Sequence, residues 1–167
     1  MQAEELKAIQ APLKERYRGS PETALLTLKA EGRLDELGVA CKVETGRGMI
    51  EAGLHPATGG TGLQACSGDM LLEALAACAG VTLKAVATAL GIDIREGRVQ
   101  VEGDLDFRGT LGVSKEAPVG FRAIRVAFAL DTDADEEKLA SLLKLTERYC
   151  VVYQTLRTPP TIELRRA

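Results

Sequence analysis

Four cysteines, Cys41, Cys66, Cys78 and Cys150, are the unusual chemical endowment of this sequence, and they are widely spaced. In a reducing compartment such thiols are either small buried fillers or reactive groups, more often than structural disulfides. A zinc site wants ligands at short spacing, as in C-x-x-C or H-x-x-x-H. No such pair occurs, and His55 is the only histidine. A thiol-protease arrangement would need His55 as its base. The glycine-rich stretch His55-Pro-Ala-Thr-Gly-Gly-Thr-Gly instead reads as a loop with His55 solvated or bracing it. That stretch is no phosphate loop either, because the Gly-Lys-Ser/Thr ending is missing. Cys78 lies in Glu73-Ala74-Leu75-Ala76-Ala77-Cys78-Ala79-Gly80, a setting that suits a packed thiol. Cys150 follows Glu147-Arg148-Tyr149. The nearby cation favours a thiolate there and a helix C-terminus opposes it, so position alone leaves reactive and filler readings open.

The elements that must carry these thiols follow from patterning. Leu6, Ile9, Leu13 and Tyr17 lie on one helical face within Glu4 to Tyr17, a surface helix containing Pro12. Thr23 to Val43 reads as a strand pair about a Gly32 to Gly38 turn, and Lys42 to Leu54 as a second pair about Thr45-Gly46-Arg47-Gly48. His55 to Gly68 is a surface loop. Asp69 to Leu90 is rich in helix formers with apolar residues on nearly every face, which predicts a helix buried on most sides and closed by Gly91. One protomer with few aromatics offers little to cover such a helix, so a second copy is expected to complete it. Val99 to Phe107 and Phe121 to Leu130 alternate as strands, joined by a Gly109 to Gly120 loop. A capping box in Asp133-Ala134-Asp135-Glu136 starts a helix lasting to about Tyr149, with Cys150 closing it on the apolar side. Thr161 to Leu164 is expected to be a final strand.

Composition narrows the function classes. The 167 residues are 46% hydrophobic and 27% charged, as in one soluble globular domain. With a net charge of −3, 4% aromatics and no Trp, the chain has neither the basic field nor the stacking surfaces that nucleic acids demand. Its uninterrupted apolar runs fall short of the roughly 20 residues of a membrane helix. Met1 to Lys7 mixes acids and bases where a secretory signal would place basic residues before an apolar core. A cytoplasmic protein is expected, with neither nucleic acid nor membrane as partner.

Three segments together resemble a known family. Leu71 to Cys78, followed by Thr82-Leu83-Lys84-Ala85-Val86-Ala87 and Leu90-Gly91-Ile92, resembles the central helix of the OsmC/Ohr family of osmotically inducible and organic hydroperoxide resistance proteins. Val119-Gly120-Phe121 with Ile124 and Val126 resembles its later strand, and Glu147-Arg148-Tyr149-Cys150-Val151-Val152 its second cysteine motif. The resemblance covers residues 23 to 166. It implies an α+β fold of antiparallel sheets with two long central helices in an intertwined homodimer. Residues 19–167 would form a single such domain behind a helical extension over residues 1–18.

The resemblance also implies chemistry. Cys78 corresponds to the peroxidatic thiol and Cys150 to the resolving one, reducing organic hydroperoxides to alcohols through a sulfenic acid and an intramolecular disulfide. No bound cofactor is implied, only an external thiol or dithiol reductant. The family usually has Pro after the second cysteine, where this chain has Val151. It also uses an arginine and a carboxylate to support the thiolate. The carboxylate corresponds to Asp69, which on an ideal helix lies about 900° of rotation from Cys78 and so on the opposite side. Asp69 reads equally well as a helix N-terminal acid. The arginine corresponds to Arg33 in Gly32-Arg33-Leu34-Asp35 or to Arg47, either of which also reads as a solvated turn residue. Cys66 is an alternative resolving thiol, and Cys41 reads as core filler. The competing function is a non-catalytic relative that binds an apolar small molecule at the dimer interface.

Overall fold

The computed structural model describes residues 3–34, 41–43 and 52–166. Helix α1 (Ala3–Gly19) forms where the apolar spacing predicts it and runs through Pro12. Tyr17 is fully buried and its hydroxyl donates to the Ala57 carbonyl at 2.7 Å. Pro21 then starts a 3-10 turn over Pro21–Ala24. Strands β1 (Leu25–Leu34) and β2 (Cys41–Val43) pair antiparallel, with Arg33 opposite Lys42 and Leu34 opposite Cys41. The expected strand pair therefore forms, although Gly32, Arg33 and Leu34 belong to β1 and residues 35–38 of the expected turn lie outside the described residues.

The second expected strand pair, Lys42 to Leu54, falls largely outside the described residues. β3 (Ala52–Gly53) pairs in parallel with β4 (Ala65–Cys66), and residues 44–51 lie outside the described set. The loop expected over His55 to Gly68 thus contains β4, and also a 3-10 turn at Pro56–Thr58. Local chemistry accounts for that turn. His55 Nδ1 accepts the Ala57 N–H at 3.0 Å, Pro56 sets the first turn residue, and Gly59 takes a left-handed φ of 94° to leave it. The imidazole ring stacks on Phe107 at 4.9 Å, so His55 braces its loop.

Helix α2 (Ser67–Leu90) extends the predicted helix two residues towards its N-terminus. Its buried side is a stripe of Leu72, Leu75, Ala76, Ala79, Leu83 and Ala87, spaced three and four apart as one helical face requires. Leu71 and Val81 on the other side are each 37% exposed, so within one chain the helix is buried on one face and not on most sides. By length and composition α2 could cross a membrane, although no uninterrupted apolar run in the sequence is long enough. Its buried stripe, with Glu73 and Lys84 on other faces, has the pattern of a core helix.

Strand β5 (Glu96–Asp106) shows the predicted alternation, with Val99, Val101 and Leu105 inward. A short helix α3 (Phe107–Thr110), capped by Asp106 accepting the Arg108 N–H at 3.1 Å, interrupts the expected connecting loop. Strand β6 (Ala123–Asp131) follows, and the sheet runs in the order β2-β1-β5-β6. Helix α4 (Glu136–Tyr149) starts at Asp135, whose carboxylate accepts the Lys138 N–H at 2.8 Å. The capping box expected from Asp133 does not form, because Asp133 pairs with Arg95 at 2.6 Å. The chain then continues into helix α5 (Val151–Arg157), which the sequence pattern did not announce. No strand forms at residues 161–164, where Ile162 and Leu164 are 83% and 100% exposed. A strand requires a neighbouring edge, and this segment has none among the described residues.

Two compact units share the chain: Met1–Ala30, Glu44–Glu73 and Gln100–Ala127 in one, and Glu31–Val43, Ala74–Val99 and Phe128–Ala167 in the other. In the first, Tyr17, Leu72, Val101 and Phe107 are buried, and in the second, Leu75, Leu83, Val99 and Leu142.

Candidate active site

The second unit brings Cys78 and Cys150 together. Cys78 sits half-buried in the middle of α2. Cys150 sits between α4 and α5 with φ −71° and ψ 107°, an extended conformation that ends one helix and begins the next. Its N–H donates to the Thr146 carbonyl and its own carbonyl accepts the Gln154 N–H, both at 2.9 Å, so it caps both helices through its backbone. The Gln154 side chain donates to the Glu147 carbonyl at 2.8 Å, and Arg157 pairs with Glu147. These contacts tie α5 back onto the end of α4 and fix where the Cys150 side chain points.

The first amides of any helix lack intrahelical acceptors, and in α5 the two sulfurs take them. The amides of Val152 and Val151 favour a thiolate at Cys78, and those of Tyr153 and Val152 act in the same sense on Cys150. The Cys150 thiol and the Thr82 hydroxyl, one turn further along α2, also favour the Cys78 thiolate. The two thiols consequently differ. Burial opposes a Cys78 thiolate, but the Val152 amide, the Cys150 thiol, the Thr82 hydroxyl and the Val151 amide together outweigh it and hold its pKa below the ordinary 9.0. Cys150 is only 1% exposed, and burial together with its proton-donating role towards Cys78 pushes its thiol up to about 11. One sulfur is thus half-buried with its thiolate favoured, and the other is a buried thiol held protonated.

The other expected residues are placed differently. Asp69 stands in the first turn of α2, where burial raises its carboxyl pKa and His55 partly offsets the rise. The neighbouring Glu73 is also pushed up, by burial and then by Asp69. Neither carboxylate is among the groups that set the Cys78 thiol. Arg33 lies in β1 opposite Lys42, and Arg47 lies outside the described residues. Cys66 is a half-buried free thiol in β4, and Cys41 begins β2. Among the described residues no cluster of His, Cys, Asp and Glu could hold a metal ion. Sequence reasoning missed Thr82 and the α5 amides. The four-residue spacing from Cys78 to Thr82 was a usable signal, whereas backbone donors leave no residue-type signature.

A family profile described as OsmC-like protein matches residues 60–165, more than half of the chain and inclusive of both cysteines, and the chain belongs to that family. No curated protein sequence matches it. Among solved structures it is similar to an OsmC-like hydroperoxide resistance protein from Jannaschia sp. CCS1, at 16% identity and a TM-score of 0.61, covering 86% of this chain and 94% of that one. It is also similar to an OsmC-like protein from Mycoplasma pneumoniae, at 18% identity and a TM-score of 0.56, covering 81% and 86%. At these identities the likeness establishes the shared fold, a mixture of helices with an antiparallel sheet.

Proposed function

We propose that this protein is a thiol-dependent peroxidase that reduces organic hydroperoxides to alcohols. The observation that carries the reading is the division of labour between two sulfurs that influence one another: Cys78 half-buried with its thiolate favoured, Cys150 buried and held protonated. The hydroperoxide resistance named for the Jannaschia protein supports a peroxide as the oxidant. In the first step the Cys78 thiolate attacks the terminal oxygen of R–O–O–H. The O–O bond breaks, Cys78 becomes a sulfenic acid, and the departing alkoxide takes up a proton to leave as alcohol. In the second, the Cys150 sulfur attacks the Cys78 sulfur, an S–S bond forms, and the sulfenic oxygen leaves as water with the Cys150 proton. An external dithiol, abundant in a reducing cytoplasm, then returns both sulfurs to the thiol state by exchange, itself becoming a disulfide.

Peroxide consumption by the fully reduced protein, with cumene hydroperoxide and a dithiol reductant, tests the proposal. Catalytic loss of peroxide is expected. Unchanged peroxide would overturn the reading and leave a non-catalytic binder of apolar molecules as the better account.

The same reading includes a homodimer. Leu71, Ala74, Val81 and Ala85 are exposed along α2 at spacings of three, seven and four, on the side away from its buried stripe. A second copy is the cover such a face calls for. Sedimentation at micromolar concentration should report twice the mass of one chain, and a stable monomer would contradict this part of the proposal.

A further inference from the structure

The only histidine of the chain makes a contact that its neutral form alone can make. His55 Nδ1 accepts the Ala57 N–H at 3.0 Å, and the Thr58 hydroxyl donates to the His55 carbonyl at 2.9 Å, which closes the Pro56–Thr58 turn. Ala57 and Thr58 are buried there. Helix α1 lies against the turn and takes its carbonyls: the Tyr17 hydroxyl donates to that of Ala57 at 2.7 Å, and the Gln10 side chain to that of Thr58 at 3.3 Å. A Cβ on Gly59 would stand 2.4 Å from Ile9 of α1, so the approach is close. Ala57 is thus held on one side by His55 through its N–H and on the other by α1 through its carbonyl.

A protonated imidazole carries a hydrogen on both ring nitrogens and accepts at neither. Turning the ring over brings a carbon to the amide, so no orientation of the charged ring restores the bond. The neighbouring charges act elsewhere. From α2, Asp69 faces the imidazole and its carboxylate is favoured by it, while Glu73 one turn on interacts with Asp69. From α3, Phe107 stacks on the ring at 4.9 Å, and Arg108 is paired with the buried Asp106 at 2.6 Å. Glu22 acts on Arg108, and on α1 the Arg16 guanidinium lies over the Tyr17 ring, 5.0 Å from its centroid. Attraction to Asp69 does not require the Ala57 bond, so it does not hold the turn closed.

We propose that His55 is a proton-operated latch: its neutral imidazole pins Ala57 in place for the Tyr17 hydroxyl, and protonation frees the turn and loosens α1 from it. A buried amide left without an acceptor is costly enough that the turn should open roughly tenfold more often. Histidine is the side chain whose charge ordinarily changes between about pH 5 and 8, and those two conditions bracket the comparison.

The experiment measures hydrogen exchange at the Ala57 amide and along the last turns of α1 at about pH 8 and about pH 5, each corrected for the intrinsic pH dependence of exchange. Wild type, His55→Asn and His55→Ala are compared. In the wild type, protection at Ala57 should fall roughly tenfold on acidification, and the α1 amides should lose protection with it. The asparagine carbonyl accepts the same N–H and carries no proton to gain, so His55→Asn should stay protected at both pH values. His55→Ala should be poorly protected at both. Equal wild-type protection at the two pH values overturns the inference, and so does an acid-induced loss of the same size in His55→Asn, which would assign it to another group. Opening at Ala57 with α1 fully protected would overturn the link to the helix. The wild-type comparison needs neither variant, so the inference stays falsifiable if one of them fails to fold.

Discussion

Cys78→Ser is expected to abolish hydroperoxide turnover, with a loss of at least about a thousandfold, because a serine hydroxyl stays protonated in the setting that stabilises a thiolate. The change exchanges one atom at a half-buried position in α2, so the fold should survive and circular dichroism should be unchanged. The pH dependence of the wild type follows from the groups that favour the Cys78 thiolate. Protonation of Cys78 removes the nucleophile, so the rate falls as the pH drops through the Cys78 pKa. Since that pKa lies below the ordinary 9.0, the wild type should keep its activity to lower pH than an unassisted thiol would. Residual turnover in Cys78→Ser within tenfold of the wild type would move the chemistry to another cysteine.

Cys150→Ser should separate the two halves of the cycle. Serine retains a hydroxyl that can donate to Cys78, so the first attack on peroxide should proceed at close to the wild-type rate. The second step cannot, since no thiol remains beside the sulfenic acid. One equivalent of alcohol should be released, a dimedone probe should then label Cys78, and excess peroxide should carry it to the sulfinic acid. Steady-state turnover with the dithiol should fall sharply. Full turnover with no sulfenic acid trapped would take the resolving role away from Cys150.

The residues that pack were readable because burial imposes a period. Val99, Val101 and Leu105 alternate along β5 as a half-buried strand must, and Leu72, Leu75, Leu83 and Ala87 keep the helical spacing along α2. What stayed hidden depended on partners distant in sequence. The parallel pairing of Ala52 with Ala65 has no local pattern, and α5 begins at two β-branched valines, which favour strands. The expected strand at Thr161 to Leu164 has the right composition but lacks an edge to pair with among the described residues.

The thiol site was half legible in the same sense. Cys78 and Cys150 were singled out through their motifs, and in the structure each influences the other's pKa. The groups that tune Cys78 are mostly backbone amides, which every residue except proline possesses, so residue identity could not mark them. Val151 carries an N–H that a proline would not, and that N–H is one of the donors. Asp69 sits in the first turn of α2, as the helix N-terminal acid reading expects, where burial raises its carboxyl pKa and His55 partly offsets the rise.

The pairing of the two sulfurs is tested most directly by adding one equivalent of cumene hydroperoxide to the fully reduced protein and mapping its disulfide-linked peptides by mass spectrometry. The account predicts a single new link between Cys78 and Cys150 within one chain. A Cys66–Cys78 link, or an unmodified Cys78 beside an oxidised Cys41 or Cys66, would contradict it.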